Sequence, residues 1–133
     1  KGRLILSTPS VNRRDFSSFS QVQDAVVGAT AIKDVMAGPC RIMGISISNV
    51  VAGADACWLK LYDNLNPTVG TTAPDYSFPI PVNFTDSIPV PVEGLKFVNG
   101  LSYCAENTGG GTAGISAPAQ NVSVGFTLLE GVQ

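Results

Sequence analysis

The chain has 133 residues, the size of one ordinary domain and enough to bury a core of its own. Apolar residues make up 44% and charged residues only 14%, against roughly 25% charged in an average soluble domain. Its surface is therefore covered by Ser, Thr, Asn and Gly, or is hidden against partners. A net charge of −2 with no histidine offers no general attraction to phosphate backbones or anionic lipid, and it removes histidine-based triads and most catalytic zinc sites.

Residues 1–24 mix Arg3, Arg13, Arg14 and Asp15 with Ser-rich polar sequence and show no sustained period. They read as an extended N-terminal arm ahead of a β domain over 25–133. Phe16, Phe19, Val22 and Val26 recur at spacings of three, three and four, which also fits a short helix over 15–26.

From residue 25 the pattern becomes short β-branched and aromatic stretches, separated by Gly, Pro, Asn and Asp at intervals of about 8 to 12 residues, an all-β rhythm. A first strand over 29–35 is followed by a turn at Gly38 and Pro39. Over 41–48 the alternation places Met43, Ile45 and Ile47 on one face and Gly44, Ser46 and Ser48 on the other. A Gly- and Ala-containing loop over 49–55 leads to a strand over 56–62. There Cys57, Leu59 and Leu61 face opposite to Trp58, Lys60 and Tyr62, and the lone Trp58 is an anchor candidate.

Turn formers crowd 63–74, and apolar side chains alternate again over 76–82. Pro79 and Pro81 cannot donate ladder hydrogen bonds, so this strand belongs at a sheet edge; Pro89 and Pro91 repeat the device over 88–92. Asn99-Gly100 between 95–98 and 101–105 is a strong tight-hairpin signal. Residues 107–114, rich in Gly and Thr, read as a mobile connection at a sandwich end. The closing strand over 121–129 puts Val122, Val124, Phe126 and Leu128 on one face, a pattern that fits a central position. Seven or eight such strands with no helical segment among them predict an antiparallel β-sandwich, jelly-roll-like in kind.

Chemistry is sparse. The acids Asp55, Asp63, Asp75, Asp86 and Glu93 stand singly in turns rather than paired across a cleft. Asp63, Asn64 and Asn66 supply oxygens but not the calcium-loop spacing, and turn formation is the simpler reading. Gly109-Gly110-Gly111 lacks the Gly-Lys-Ser/Thr ending of a phosphate loop. Cys40, Cys57 and Cys104, odd in number and widely spaced, fit buried free thiols rather than a disulfide or metal framework. Asn83-Phe84-Thr85 and Asn121-Val122-Ser123 match the glycosylation triplet, a pattern that arises often by chance. Trp58, Tyr62, Tyr76 and Tyr103 could stack on sugar but suit core packing better. No catalytic, cofactor or metal site is expected, and the chain reads as a non-enzyme. No apolar run reaches the ~18 to 20 residues of a membrane span.

The stretch from Trp58 through Lys60-Leu61-Tyr62-Asp63 to Pro67-Thr68-Val69-Gly70 and Pro74 resembles a pattern in small virion proteins of tailed phages. The segment from Gly94 to Tyr103, the Gly/Thr loop after it and the strand from Val122 to Leu128 continue that similarity, which spans about residues 40 to 130. The resemblance implies a small β-sandwich that decorates or cements a phage capsid, often as a trimer, with the major capsid protein as partner and neither nucleic acid nor membrane involved. It carries no catalytic residues. Phe16, Phe19, Arg13 and Arg14 of the arm, together with Trp58, are the candidate partner-binding residues. A carbohydrate-binding or host-recognition module of a head fibre or tail, and a jelly-roll shell subunit, are the alternatives.

Overall fold

The structure, a computed structural model, describes residues 19–24, 27–50, 56–118 and 122–130. Within them the chain is all β: β1 (Phe19–Asp24), β2 (Ile32–Ala37), β3 (Cys40–Asn49), β4 (Cys57–Asp63), β5 (Tyr76–Ile80), β6 (Phe84–Ile88), β7 (Leu95–Phe97), β8 (Gly100–Glu106) and β9 (Ser123–Glu130). Two antiparallel sheets face each other as a β-sandwich. One has the order β1-β9-β3-β6, with β7 continuing beyond β6 along β3; the other has the order β2-β8-β4-β5. Apart from β4 to β5 and β6 to β7, every link between consecutive strands crosses from one sheet to the other.

The core is the alternating inner face of each strand. Ile45 and Ile47 of β3, with Val124, Phe126 and Leu128 of β9, meet Leu59 and Leu61 of β4 and Leu101 and Tyr103 of β8, all 3% exposed or less. The Tyr103 and Phe126 rings join the sheets edge to face at 5.0 Å. Tyr103 also donates its hydroxyl to Asp24 Oδ2 at 2.7 Å, linking β8 to β1. β9 lies between β1 and β3, the central place its strict alternation required, and β5 with Pro79 lies at an edge.

Four expectations are corrected. Residues 19–24, assigned to the arm, form β1 and pair with β9 residue for residue from Phe19↔Leu129 to Asp24↔Val124. The helical alternative fails there, because pairing with β9 satisfies the backbone that a helix would have satisfied internally. Residues 1–18, which include Arg13, Arg14 and Phe16, lie outside the described residues.

On β3 the register with β9 shifts between Ile42 and Gly44. The extra residue of that bulge is Met43, so the core phase runs Cys40, Ile42, then Ile45, Ile47, and Met43 leaves it. Over 88–92, where a second proline-bearing strand was expected, the strand is β6 and ends at Ile88, just before Pro89.

The expected hairpin at Asn99-Gly100 is instead a crossover. β7 before it pairs with β3, while β8 after it pairs with β2 and β4 in the other sheet. A two-residue hairpin of the Asn-Gly kind needs positive φ at both residues; Gly100 has φ +141°, but Asn99 is not among the positive-φ residues. The corner is held from outside by Asp63 at the end of β4. Its carboxylate accepts from the backbone N–H groups of Val98 (3.1 Å), Asn99 (2.7 Å) and Gly100 (3.2 Å). A side chain at position 100 would also collide with Leu65 and with the Met36 carbonyl.

Charge-assisted bonds to three backbone donors make Asp63 the fastening of this corner. Asp63→Ala is expected to cost about 2 kcal/mol and to lower Tm by roughly 8 °C. Asp63→Asn, which keeps one acceptor oxygen, should lose about half as much. An unchanged Tm for Asp63→Ala would show that water replaces the carboxylate without cost.

Candidate functional site

The two sheets treat their outer faces in opposite ways. On the four-stranded sheet, Trp58, Lys60 and Tyr62 of β4 point away from the core, beside Ser102, Cys104 and Glu106 of β8, with Trp58↔Glu106, Lys60↔Cys104 and Tyr62↔Ser102 as cross-strand partners. A solvated face would leave these exposed, yet Lys60, Tyr62, Ser102, Cys104 and Glu106 are all fully buried. Over Trp58, Lys60 and Glu106 the cover is the chain's own segment 107–118, which folds back as a strap, while the Ser102 hydroxyl donates to the Asn64 carbonyl at 2.7 Å.

The strap is fixed by polar contacts to that face. Lys60 Nζ lies 3.3 Å from Glu106 Oε1, with neither side chain exposed, and donates to the Gly114 carbonyl at 3.3 Å. Glu106 Oε2 accepts from both the N–H and the hydroxyl of Thr108 at 2.6 Å. Asn107 N–H donates to Ser116 O at 2.8 Å, closing the base of the strap. Its glycines are contact points: a β-carbon at Gly110 would sit 2.5 Å from the Trp58 ring and 2.7 Å from Ser77 Oγ, and one at Gly114 would collide with the Glu106 carboxylate. The mobile connection expected here is a fitted cover, and its glycines serve close approach rather than freedom of movement.

On the same face the buried Tyr62 hydroxyl and Cys104 Sγ are 3.7 Å apart, and burial pushes both groups' pKa values up. Burial likewise raises Cys40 and Cys57 to about 11, so these thiols stay protonated and poorly nucleophilic near neutral pH. All three cysteines are buried and unbridged.

The outer face of the five-stranded sheet is open. It is uncharged where β1, β9, β3 and β6 lie side by side, and it carries Arg41 and Lys96 where β7 pairs with β3. Register places its side chains in rows across the strands: Ser123, Ser48 and Thr85; Gln23, Gly125, Ser46 and Ser87; Gln21, Thr127 and Gly44. Every one is a hydroxyl, an amide or glycine. At Gly125 a β-carbon would fall 2.7 Å from Ser46 Oγ and 2.9 Å from the Gln23 amide nitrogen, so its absence lets those two side chains close over the strand. Two shallow grooves of roughly 170 and 250 Å³ run along these rows.

Of the residues singled out from sequence, Trp58 sits half-buried on β4 against Gly110 of the strap. Phe19 opens β1, and Phe16, Arg13 and Arg14 lie outside the described residues. The four aromatics do not form a platform: Tyr103 is in the core, Tyr62 is fully buried and Tyr76 packs on Phe97 at 5.5 Å, which leaves Trp58 alone of the four. Asp63, Asn64 and Asn66 are engaged as turn residues. Asn64 Oδ1 accepts from Asn66 N–H and Asn66 Oδ1 from Lys33 Nζ, each at 2.7 Å. Among the described residues no cluster of three metal-ligating side chains occurs and no helix is long and apolar enough to cross a membrane.

The Lys60–Glu106 pair and the Gln21 and Gln23 rows were not singled out from sequence. The signal for the pair was present: β4 reads apolar on both faces, with Trp58 and Tyr62 flanking Lys60, and a strand apolar on both faces is a strand covered on both. No family model, curated protein or solved structure matches the chain.

An isolated buried charge is far more costly than a paired one. Lys60→Met strands Glu106 and is expected to cost about 3 to 5 kcal/mol, whereas Lys60→Met with Glu106→Gln, which still accepts from Thr108, should recover most of that loss. Urea midpoints read both values; a double variant no more stable than the single one would show that the two charges are not coupled.

Proposed function

We propose that the protein is a non-enzymatic structural component of a virus particle, a decoration or cement protein that braces a phage head by bridging major capsid subunits. The observation that carries this reading is the charge-free stretch of the five-stranded sheet's outer face, across β1, β9, β3 and β6. A flat surface of Ser, Thr, Gln and Gly hydrogen-bonds to a partner without stripping water from charges, and its short side chains lose little entropy on contact. Charge depletion of this kind is characteristic of the buried centre of protein interfaces. The resemblance of residues 40 to 130 to phage virion proteins supports the same partner.

Residues 1–18 precede β1 at one edge of this sheet. Their part is to clamp a neighbouring subunit, with Phe16 as apolar anchor and Arg13 and Arg14 as cationic contacts, so that the entropy of ordering them is offset by buried contact. The alternative of a glycan-recognition module lacks an aromatic platform, since Trp58 stands alone.

Mixing with expanded, undecorated phage heads and sedimenting them tests the reading. The protein is expected in the pellet. Ser46→Arg, which sets a charge in the middle of the neutral face, should weaken that binding at least tenfold, a loss of about 1.4 kcal/mol, with Tm unchanged. Protein that stays in the supernatant while binding a glycan array through Trp58 would overturn the capsid reading.

A further inference from the structure

Edge strands expose unpaired N–H and C=O groups, and proteins blunt them with prolines, bulges or charges. Three of the four sheet edges here are treated in this way. β5 carries Pro79 at its fourth residue. β6 bears the exposed Asp86 and gives way to Pro89 and Pro91. β2 has a register shift between Ile32 and Met36 and carries Lys33.

β1 has neither a proline nor a bulge. Its register with β9 is unbroken over six pairs, it contains no proline, and its one charged residue, Asp24, stands at its end. Among the described residues no strand pairs on its other side. From this contrast we infer that the β1 edge is an interface, and that its occupant is β1 of a second copy of this chain, paired antiparallel about a twofold axis.

Self-complementarity selects the second copy. An antiparallel pair places directly opposed side chains on the same face of the sheet. With the axis through Val22, Val22 meets Val22 on the core side, where it already packs against the core. Gln21 meets Gln23 on the outer face, amide to amide, and Ser20 meets Asp24 on the core side. No like charges are directly opposed in this register, and each Asp24 faces a Ser20 whose hydroxyl donates to Glu130 Oε2 at 2.7 Å. The two five-stranded sheets then join into one, and the neutral faces run on from copy to copy.

Five opposed residues span only about 17 Å of strand, a small contact beside stable interfaces, which bury roughly 1,200 Å² or more. The dimer is therefore concentration-dependent. Isologous pairing yields a twofold dimer where the resemblance implies a trimer. The inference rests on the edge chemistry and not on capsid binding, so the two readings fail separately.

Sedimentation equilibrium of the full chain over a hundredfold range of concentration tests it. The mass is expected to rise from that of one chain to that of two. Gln21→Lys with Gln23→Lys puts lysine opposite lysine across the axis and should leave a monomer throughout, with the circular dichroism spectrum and Tm unchanged. Val22→Cys should cross-link into a covalent dimer under mild oxidation, because opposed α-carbons of an antiparallel pair lie about 4.5 to 5.5 Å apart, within the span of a disulfide. A monomer at every concentration, a trimer, or an oligomer indifferent to the paired lysines would overturn the inference.

Discussion

A lysine and a glutamate without solvent exposure constrain this molecule more than any other pair. Lys60 and Glu106 stand on the outward face of their sheet, where the pleat would ordinarily give them water. The strap over residues 107–118 takes that water away, and the desolvation of two charges is repaid only if they face one another with their remaining valences satisfied. The Gly114 carbonyl accepts from Lys60 and the Thr108 N–H and hydroxyl donate to Glu106 Oε2, all three from the strap itself, while Glu106 Oε1 faces Lys60 Nζ at 3.3 Å without a hydrogen bond. The cover and the ion pair thus require each other: without the strap the pair is an ordinary weak surface contact, and without the pair the strap lies on buried unmatched charge.

From that closure follows the division of labour between the faces. One sheet is shut by its own chain over Trp58, Lys60 and Glu106. The other leaves rows of hydroxyls and amides open and ends in an edge strand with neither a proline nor a bulge. Asp63 connects the two halves, since its carboxylate fixes the corner through which the chain passes from β7 in the open sheet to β8 in the closed one.

Much of this was legible in the sequence, for reasons that can be traced to particular residues. The strict alternation of Val122, Val124, Phe126 and Leu128 fits only a strand with one face in the core, and Pro79 fits only an edge. What local pattern could not carry was anything fixed by a distant residue. Asn99-Gly100 has the composition of a hairpin, but Asp63, more than thirty positions away, makes it a crossover. Met43 alternates correctly with Ile45, yet a bulge opposite β9 moves it out of the core phase. The glycines of the strap read as flexibility because the ring of Trp58 and the carboxylate of Glu106, which they accommodate, are close only in space. Residues 19–24 read as arm because their partner strand is the last in the chain.

Whether the open sheet meets a capsid is the question on which the proposed function stands. A cryo-electron microscopy reconstruction of decorated heads, at a resolution that traces the strands, answers it directly. The expected result is the five-stranded sheet against the shell, with Ser46 and Thr127 at the contact and residues 107–118 still seated over Lys60 and Glu106. A reconstruction with the strap lifted and Trp58 and Lys60 at the contact would contradict it, and would make the closed sheet the binding surface.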